Sequence, residues 1–339
     1  MLKIVGDINF SDGFFDSGFG VGSRIKKGLN PFEYINRSSE DMWIGNCECV
    51  IANSSNKKDI YRKQFRIGPQ HLSNVHHLNV YNVANNHVMQ HGEKAYREMI
   101  NYFDSNQIIT IGRIERPIHI FVHQNKSVGI MAFSQRKERW SQNPLYWYNP
   151  EYKDIEVAYK NIATVDYRIA YVHWGNEFIQ YPYSDQKKFA HWLVDLGFDL
   201  IIGTHPHVLQ GYEKYKGSQI FYSLGNFVFN MPTISSQIST IVSLDLSANP
   251  IKISNEYVRI YAGYLPRIVK ENGIPVEYSF ITLNRLLAKN EENEVYYEMV
   301  FKAIKEYRRK NMRAFLKNIN RFEFNDFKEI IMDFFRRRL

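Results

Sequence analysis

Leu200-Ile201-Ile202-Gly203-Thr204-His205-Pro206-His207-Val208-Leu209-Gln210 is the stretch on which the rest of the chain turns. Its first residues read as a short buried strand, which runs straight into two imidazoles flanking a proline. Histidines so placed make poor core filler, because a buried ring nitrogen needs a partner. They make good ligands for a divalent cation. Working outward, other strand-like runs end in the same way. Residues 2–6 lead to Asp7, 42–46 to Glu48, and 80–84 to Asn85-Asn86-His87. Residues 168–172 lead to His173 and then Trp174-Gly175-Asn176-Glu177, and 221–224 lead to Gly225-Asn226-Phe227. Open α/β sheets bind ligands outside the carboxyl ends of their strands. Carboxylates, carboxamides and imidazoles gathered on that edge have the composition of a metal site. Singly, each has a plainer reading: Asp7 as a turn or helix cap, Asn85-Asn86 as left-handed turn residues, Glu48 as a buried acid needing a cationic partner. His71, His76, His77, His91, His119, His123 and His191 lack the strand-end setting and read as structural or exposed.

Helical patterns lie between several of these runs. Residues 92–107 place Ala95, Met99, Ile100 and Phe103 on one face, and 184–198 do the same with Phe189, Trp192, Leu193 and Leu196. Ser184 reads as the N-cap of the second and Gly197 as its stop. Strand–helix alternation predicts a layered α/β domain. From about Ser239 the chain is strand-rich (241–246, 257–264, 278–283), as expected for the second half of a two-sheet core. After Asn284 it is helical. The expected organisation is a layered domain over 1–283 and a basic helical extension over 284–339. The polar, aromatic loops 13–28 and 134–150 are either substrate-facing or plain surface excursions.

Composition narrows the function classes. With 339 residues, 44% hydrophobic and 15% aromatic, the chain can build a packed core, and disorder throughout is excluded. No run nears the roughly 20 apolar residues that span a bilayer, and Gly6-Asp7 interrupts any signal-peptide core. A cytoplasmic protein is therefore expected. Cys47 and Cys49, two apart in a strand-like run, read as small core residues and exclude a disulfide scaffold. Of the net charge of +8, residues 301–339 carry +7 and the body only +1. That argues against a uniformly basic nucleic-acid-binding domain. No Gly-x-Ser-x-Gly elbow occurs. Gly18-Phe19-Gly20-Val21-Gly22 lacks dinucleotide spacing, although Arg24, Lys26 and Lys27 behind it could hold an anionic substrate group.

Taken in order, Gly6-Asp7, Asn46-x-Glu48, Ala84-Asn85-Asn86-His87, His173-Trp174-Gly175-x-Glu177, Gly203-x-His205-Pro206-His207-Val208-Leu209-Gln210 and Tyr222-Ser223-Leu224-Gly225-Asn226-Phe227 resemble the CapA family of capsule (poly-γ-glutamate) synthesis proteins over about residues 1–230. The resemblance implies a four-layer αββα sandwich of metallo-dependent phosphatase type. It also implies two divalent metal ions (manganese, iron or zinc) at the strand ends, activating a hydroxide. Carried over, Asp7, Glu48, Asn86, His173, His205 and His207 match metal-ligand positions of calcineurin-like phosphoesterases. His87 matches the leaving-group acid, joined in the catalytic set by Asn226 and Glu177; Arg24, Asn85 and Trp174 are expected on the substrate. Two positions depart from the pattern: Asn9 stands where those enzymes have a ligand His, and Glu48 where they have a bridging Asp. The implied function is a metal-dependent hydrolase, a phosphoester being favoured, in capsule or surface-polymer synthesis. Alternatives are a non-catalytic assembly protein that binds polymer or synthase, and a γ-glutamyl amide-acting enzyme. An anionic polymer or a phosphorylated small molecule would be the substrate. The basic tail would either cap the core or meet an anionic inner-membrane surface or a membrane-bound capsule synthase. Nucleic acid is the least favoured partner.

Overall fold

The computed structural model describes residues 1–261, 264–289 and 293–336. Among these, two large sheets stack face to face. In the first, Leu2–Ile8, Met42–Cys47, Val80–Asn82 and Ile109–Ile111 run parallel in that spatial order, and Asn226–Val228 also pairs with Leu2–Ile8. On the other side of Leu2–Ile8, the strands Ile238–Asp245, Lys252–Tyr261 and Leu265–Val269 continue the sheet antiparallel. The strand-rich region after Ser239 therefore widens the first sheet instead of founding the second. The second sheet has Lys126–Ser134, Tyr167–His173, Leu200–Thr204 and Ser218–Phe221 parallel at its centre. Antiparallel Ile118–His123 and Tyr212–Tyr215 form its edges.

Period-two alternation in the strands sets the layers. Leu2, Ile4, Ile169, Tyr171, Leu200 and Ile202 point into one core between the sheets. Val5 and Ile8 face outward with Tyr81, and helix Glu93–Ser105 covers them with Tyr96, Met99 and Phe103. On the far side Ala170, Val172 and Ile201 are covered by Phe189, Ala190 and Leu193 of helix Ser184–Leu196. The result is the expected αββα sandwich. Gly203 is required by a close approach: a Cβ there would lie 2.0 Å from the Tyr222 carbonyl oxygen. Gly197, at φ 122°, ends its helix as expected, while the N-cap is Tyr183, one residue before Ser184.

Residues 278–283 correct the strand expectation. Val276–Tyr278 is a 3-10 turn, and Phe280–Leu287 is a helix whose cap, Ser279, accepts the Thr282 amide. This helix runs across the expected 283/284 boundary. The long helix Asn293–Lys317 and the last helix Phe324–Arg336 lie on the body. Tyr296 and Val300 pack on Ile179 and Tyr181, and Phe315 and Ile330 pack on Ile60. Buried Asp326 accepts hydrogen bonds from Ser17 Oγ and Lys63 Nζ, both at 2.6 Å. The described part of the basic extension is thus a cap on the core, and the terminal Arg337-Arg338-Leu339 lies outside the described residues. Among the described residues no helix is long and apolar enough to cross a membrane.

Candidate metal centre

The two sheets bring their carboxyl-end residues to one seam. The first sheet supplies Asp7 as its first strand ends, Glu48 just after Cys47, and Asn86 and His87 from the loop following Val80–Asn82. The second supplies His173 and, beyond Thr204, His205 and His207. Both of the latter adopt left-handed backbone, at φ 96° and 57°, an uncommon conformation for residues other than glycine that is concentrated at functional sites.

Glu48 is the hub. Its Oε1 lies 3.6 Å from His173 Nε2, 3.7 Å from His207 Nε2 and 3.8 Å from His87 Nε2. Asp7 Oδ2 is 3.6 Å from His207 Nδ1 and accepts the His205 amide at 3.1 Å. Donor atoms of Asp7, Glu48 and His207 form one cluster within 4.8 Å of one another; those of Glu48, His173 and His205 form a second, and those of Glu177, His205 and His207 a third. Six of the expected ligands are therefore brought together, Asn86 through its Oδ1, 2.8 Å from His173 Nε2.

Second partners fix the rings, a common device around metals. Gln90 Oε1 accepts from His87 Nδ1 at 2.7 Å and Asn226 Oδ1 from His207 Nδ1 at 2.9 Å, so both rings turn a bare Nε2 towards Glu48. Asn226 is thus a positioning residue. His87, stacked on Phe65 at 3.8 Å, is held down to about 4 by burial. At neutral pH its Nε2 is an acceptor, and it can act as an acid only after taking up a proton.

The fit to a cation is tested by what the protein leaves unpaired. Both Glu48 oxygens and both His205 ring nitrogens are buried without a hydrogen-bond partner among the described residues. Burial, with Asp7 and Glu177 adding to it, pushes the Glu48 carboxyl well up. Burial likewise raises Asp7 and drives His173 and His205 well down. Carboxylates raised and imidazoles lowered within one dry cluster form a set that a divalent cation would complete. The residues fit. Imidazole, carboxylate and amide oxygen suit a transition ion better than calcium.

Other expected residues stand elsewhere. Asn85 is fully buried and gives its amide protons to Asn46 Oδ1 and the Cys47 carbonyl. Trp174 is buried in the second sheet's outer core, its Nε1 bonded to the Tyr222 carbonyl. Both do structural work, which corrects their placement on the substrate. Arg24 lies over the Tyr264 ring, 5.4 Å from its centroid. Asn9 turns its Oδ1 to the Ser11 amide and hydroxyl. Asn46, in the Asn46-x-Glu48 motif, also serves the site: its Nδ2 holds Asp7 Oδ1 at 2.7 Å and lies 3.3 Å from His173 Nδ1. Its only signal was its place at the end of an apolar strand.

Residues 1–231 match the model of the family described as bacterial capsule synthesis protein PGA_cap. The chain is 31% identical to the capsule biosynthesis protein CapA of Bacillus anthracis over 188 residues, 50% of this chain and 44% of that protein. It is 26% identical to the PGA biosynthesis protein CapA of Bacillus subtilis over 234 residues, 64% of this chain and 61% of that one. The chain thus matches less than two thirds of either relative's length. Among solved structures, a phosphatase of Mycoplasma pneumoniae aligns with a TM-score of 0.45 at 12% identity, over 76% of this chain and 92% of that chain.

Proposed function

Because the chain belongs to the PGA_cap family of bacterial capsule synthesis proteins, we propose that it is a metal-dependent phosphoester hydrolase serving capsule or surface-polymer synthesis. One observation carries this reading: a buried Glu48 carboxylate without a hydrogen-bond donor, ringed by His87, His173 and His207. Asp7, Glu48, Asn86, His173, His205 and His207 would hold two divalent ions, Glu48 lying within reach of both the Asp7–His207 and the His173–His205 groups. Ions bound there would supply Lewis acidity and a nucleophile available at neutral pH. The chain's own residues then have separate tasks. Asn46 and Asn226 orient Asp7 and His207. Phe65 excludes water from one face of His87, whose Nε2 can take up a proton and return it to a departing alkoxide, a contribution of roughly 10²–10⁴-fold. Glu177 stands close enough to His205 and His207 to add a carboxylate.

Asn9 supports a second reading, in which the chain binds polymer or synthase without catalysis. Its carbonyl oxygen is engaged by Ser11, so one ion would have a ligand fewer. Metal analysis after incubation with manganese or zinc, with turnover of an aryl phosphate, separates the two. Bound metal with turnover abolished by His205→Ala and His87→Ala supports the hydrolase. Bound metal without turnover favours the second reading, and absence of metal overturns the hydrolase.

A further inference from the structure

Beside the centre lies an open cavity of about 340 Å³. It begins at Asn9, two residues past Asp7, and at Phe65 and Phe229. The Phe65 ring lies 3.8 Å from His87, and the Phe229 ring 4.8 Å from His207. The opposite wall comes from the long helix Asn293–Lys317 and the turn after it, through Tyr307, Asn311, Asn318 and Arg321. All four lie beyond the stretch that matches the family. We propose that this cavity seats the sugar ring of a phosphorylated saccharide, with the phosphate at the metal centre, and that the long helix Asn293–Lys317 is the specificity wall. The proposal rests on the phosphoester reading and narrows it.

Three features point to a neutral, hydroxyl-rich ring. The walls are aromatic: Phe19, Phe65, Phe229, Tyr264 and Tyr307 line the cavity and supply apolar ring surface against which the C–H side of a saccharide ring can pack. Between them stand carboxamides with capacity to spare. Asn9 uses only its oxygen, Asn230 donates Nδ2 to Asp16 and keeps its oxygen, and Asn311 is bonded to the Tyr307 hydroxyl. Amides that present both donors and acceptors match hydroxyl groups, which are both at once. Charge is sparse. Among the described lining residues the one carboxyl is Asp16, which burial and the neighbouring Asp12 push up to about 8, and the one cation is Arg321, which lies over the Phe19 ring at 4.2 Å while bonding Asn318. A polyanionic glutamyl chain would need a row of cations that this wall lacks. The volume, at the small end of ligand pockets (roughly 300–1,000 Å³), suits one or two sugar units.

Calorimetric titration of the full-length, manganese-loaded protein tests this, with glucose 1-phosphate, inorganic phosphate and tri-γ-glutamate as probes. Glucose 1-phosphate should bind at least about tenfold more tightly than inorganic phosphate. Asn311→Ala should erase that gain while leaving phosphate affinity and metal content unchanged. If that variant melts early, Asn230→Ala tests another wall in the same way. Equal affinity for the two phosphates, tighter binding of tri-γ-glutamate, or a gain that survives both substitutions overturns the proposal. An Asn311-dependent gain without hydrolysis of any phosphoester supports the cavity assignment and overturns the hydrolase reading alone.

Discussion

Glu48→Gln keeps the volume of the hub and removes its charge. Both carboxylate oxygens are buried with no donor among the described residues, and Oε1 sits 3.6–3.8 Å from three imidazole nitrogens. An ion supplied at a hundredfold excess over its dissociation constant stabilises the folded state by about 2.7 kcal/mol. For 339 residues the unfolding entropy is about 0.7 kcal/mol per kelvin, so manganese should raise the melting temperature of the stripped wild type by about 4 °C. Loss of a ligating carboxylate that weakens binding about a hundredfold leaves the variant near half-saturation at the same ion concentration. The shift should then fall below about 1 °C. Without metal the variant should be at least as stable as the wild type. It no longer has to bury a carboxyl that desolvation and the neighbouring Asp7 already push far up. Scanning fluorimetry on chelator-treated protein reads both values. A variant that keeps the full manganese shift would refute the assignment of Glu48 as a ligand.

Three further outcomes follow from the packing. Gly203→Ala should destabilise by about 3 kcal/mol or more, since the added Cβ meets the Tyr222 carbonyl at 2.0 Å; a urea midpoint equal to wild type contradicts the close approach. Burial, aided by Arg37, holds His77 at about 4, below its ordinary 6.5. The unfolded chain therefore takes up a proton that the folded state refuses. This contribution is complete above about pH 6.5 and is lost as pH falls towards 4, by up to about 3 kcal/mol. His77→Gln should flatten that acid limb in urea titrations, and an unchanged limb would count against it. Asp326→Ala removes the acceptor for Ser17 and Lys63 and should cost about 1–2 kcal/mol, with faster proteolysis of the last helix; an unaltered cleavage rate would show that the helix is held by its apolar face alone.

What the sequence disclosed followed from local physics. Leu200–Thr204 and Tyr167–His173 are apolar because both faces of a central parallel strand are covered, so their polar ends stood out. The six candidate ligand positions stood out for that reason. Ile118–His123 was overlooked because it is an edge strand whose Ile120 and Val122 remain exposed and break the buried pattern. Residues 278–283 carry a strand-like composition, yet Ser279 caps a helix whose Phe280 and Leu283 are buried against the inter-sheet core. Tertiary contact overrode propensity. Asn85 and Trp174 were misplaced because adjacency to a ligand in sequence says nothing of which way a side chain points. Tyr307 and Asn311 were out of reach altogether, since only the folded chain lays the long helix Asn293–Lys317 beside Asn9.

The seam between the sheets has a last consequence. Asp7 and Glu48 arrive on one slab and most of the imidazoles on the other, from positions up to about two hundred residues apart. The Asp7–Glu48–His207 and Glu48–His173–His205 groups each draw on both slabs, so neither is assembled until the second sheet has docked against the first. An ion captured between those groups would be a witness that both halves have met, and a rivet along one margin of the sandwich. Stripping it should let water in at that margin first, leaving the opposite end of the strands shut.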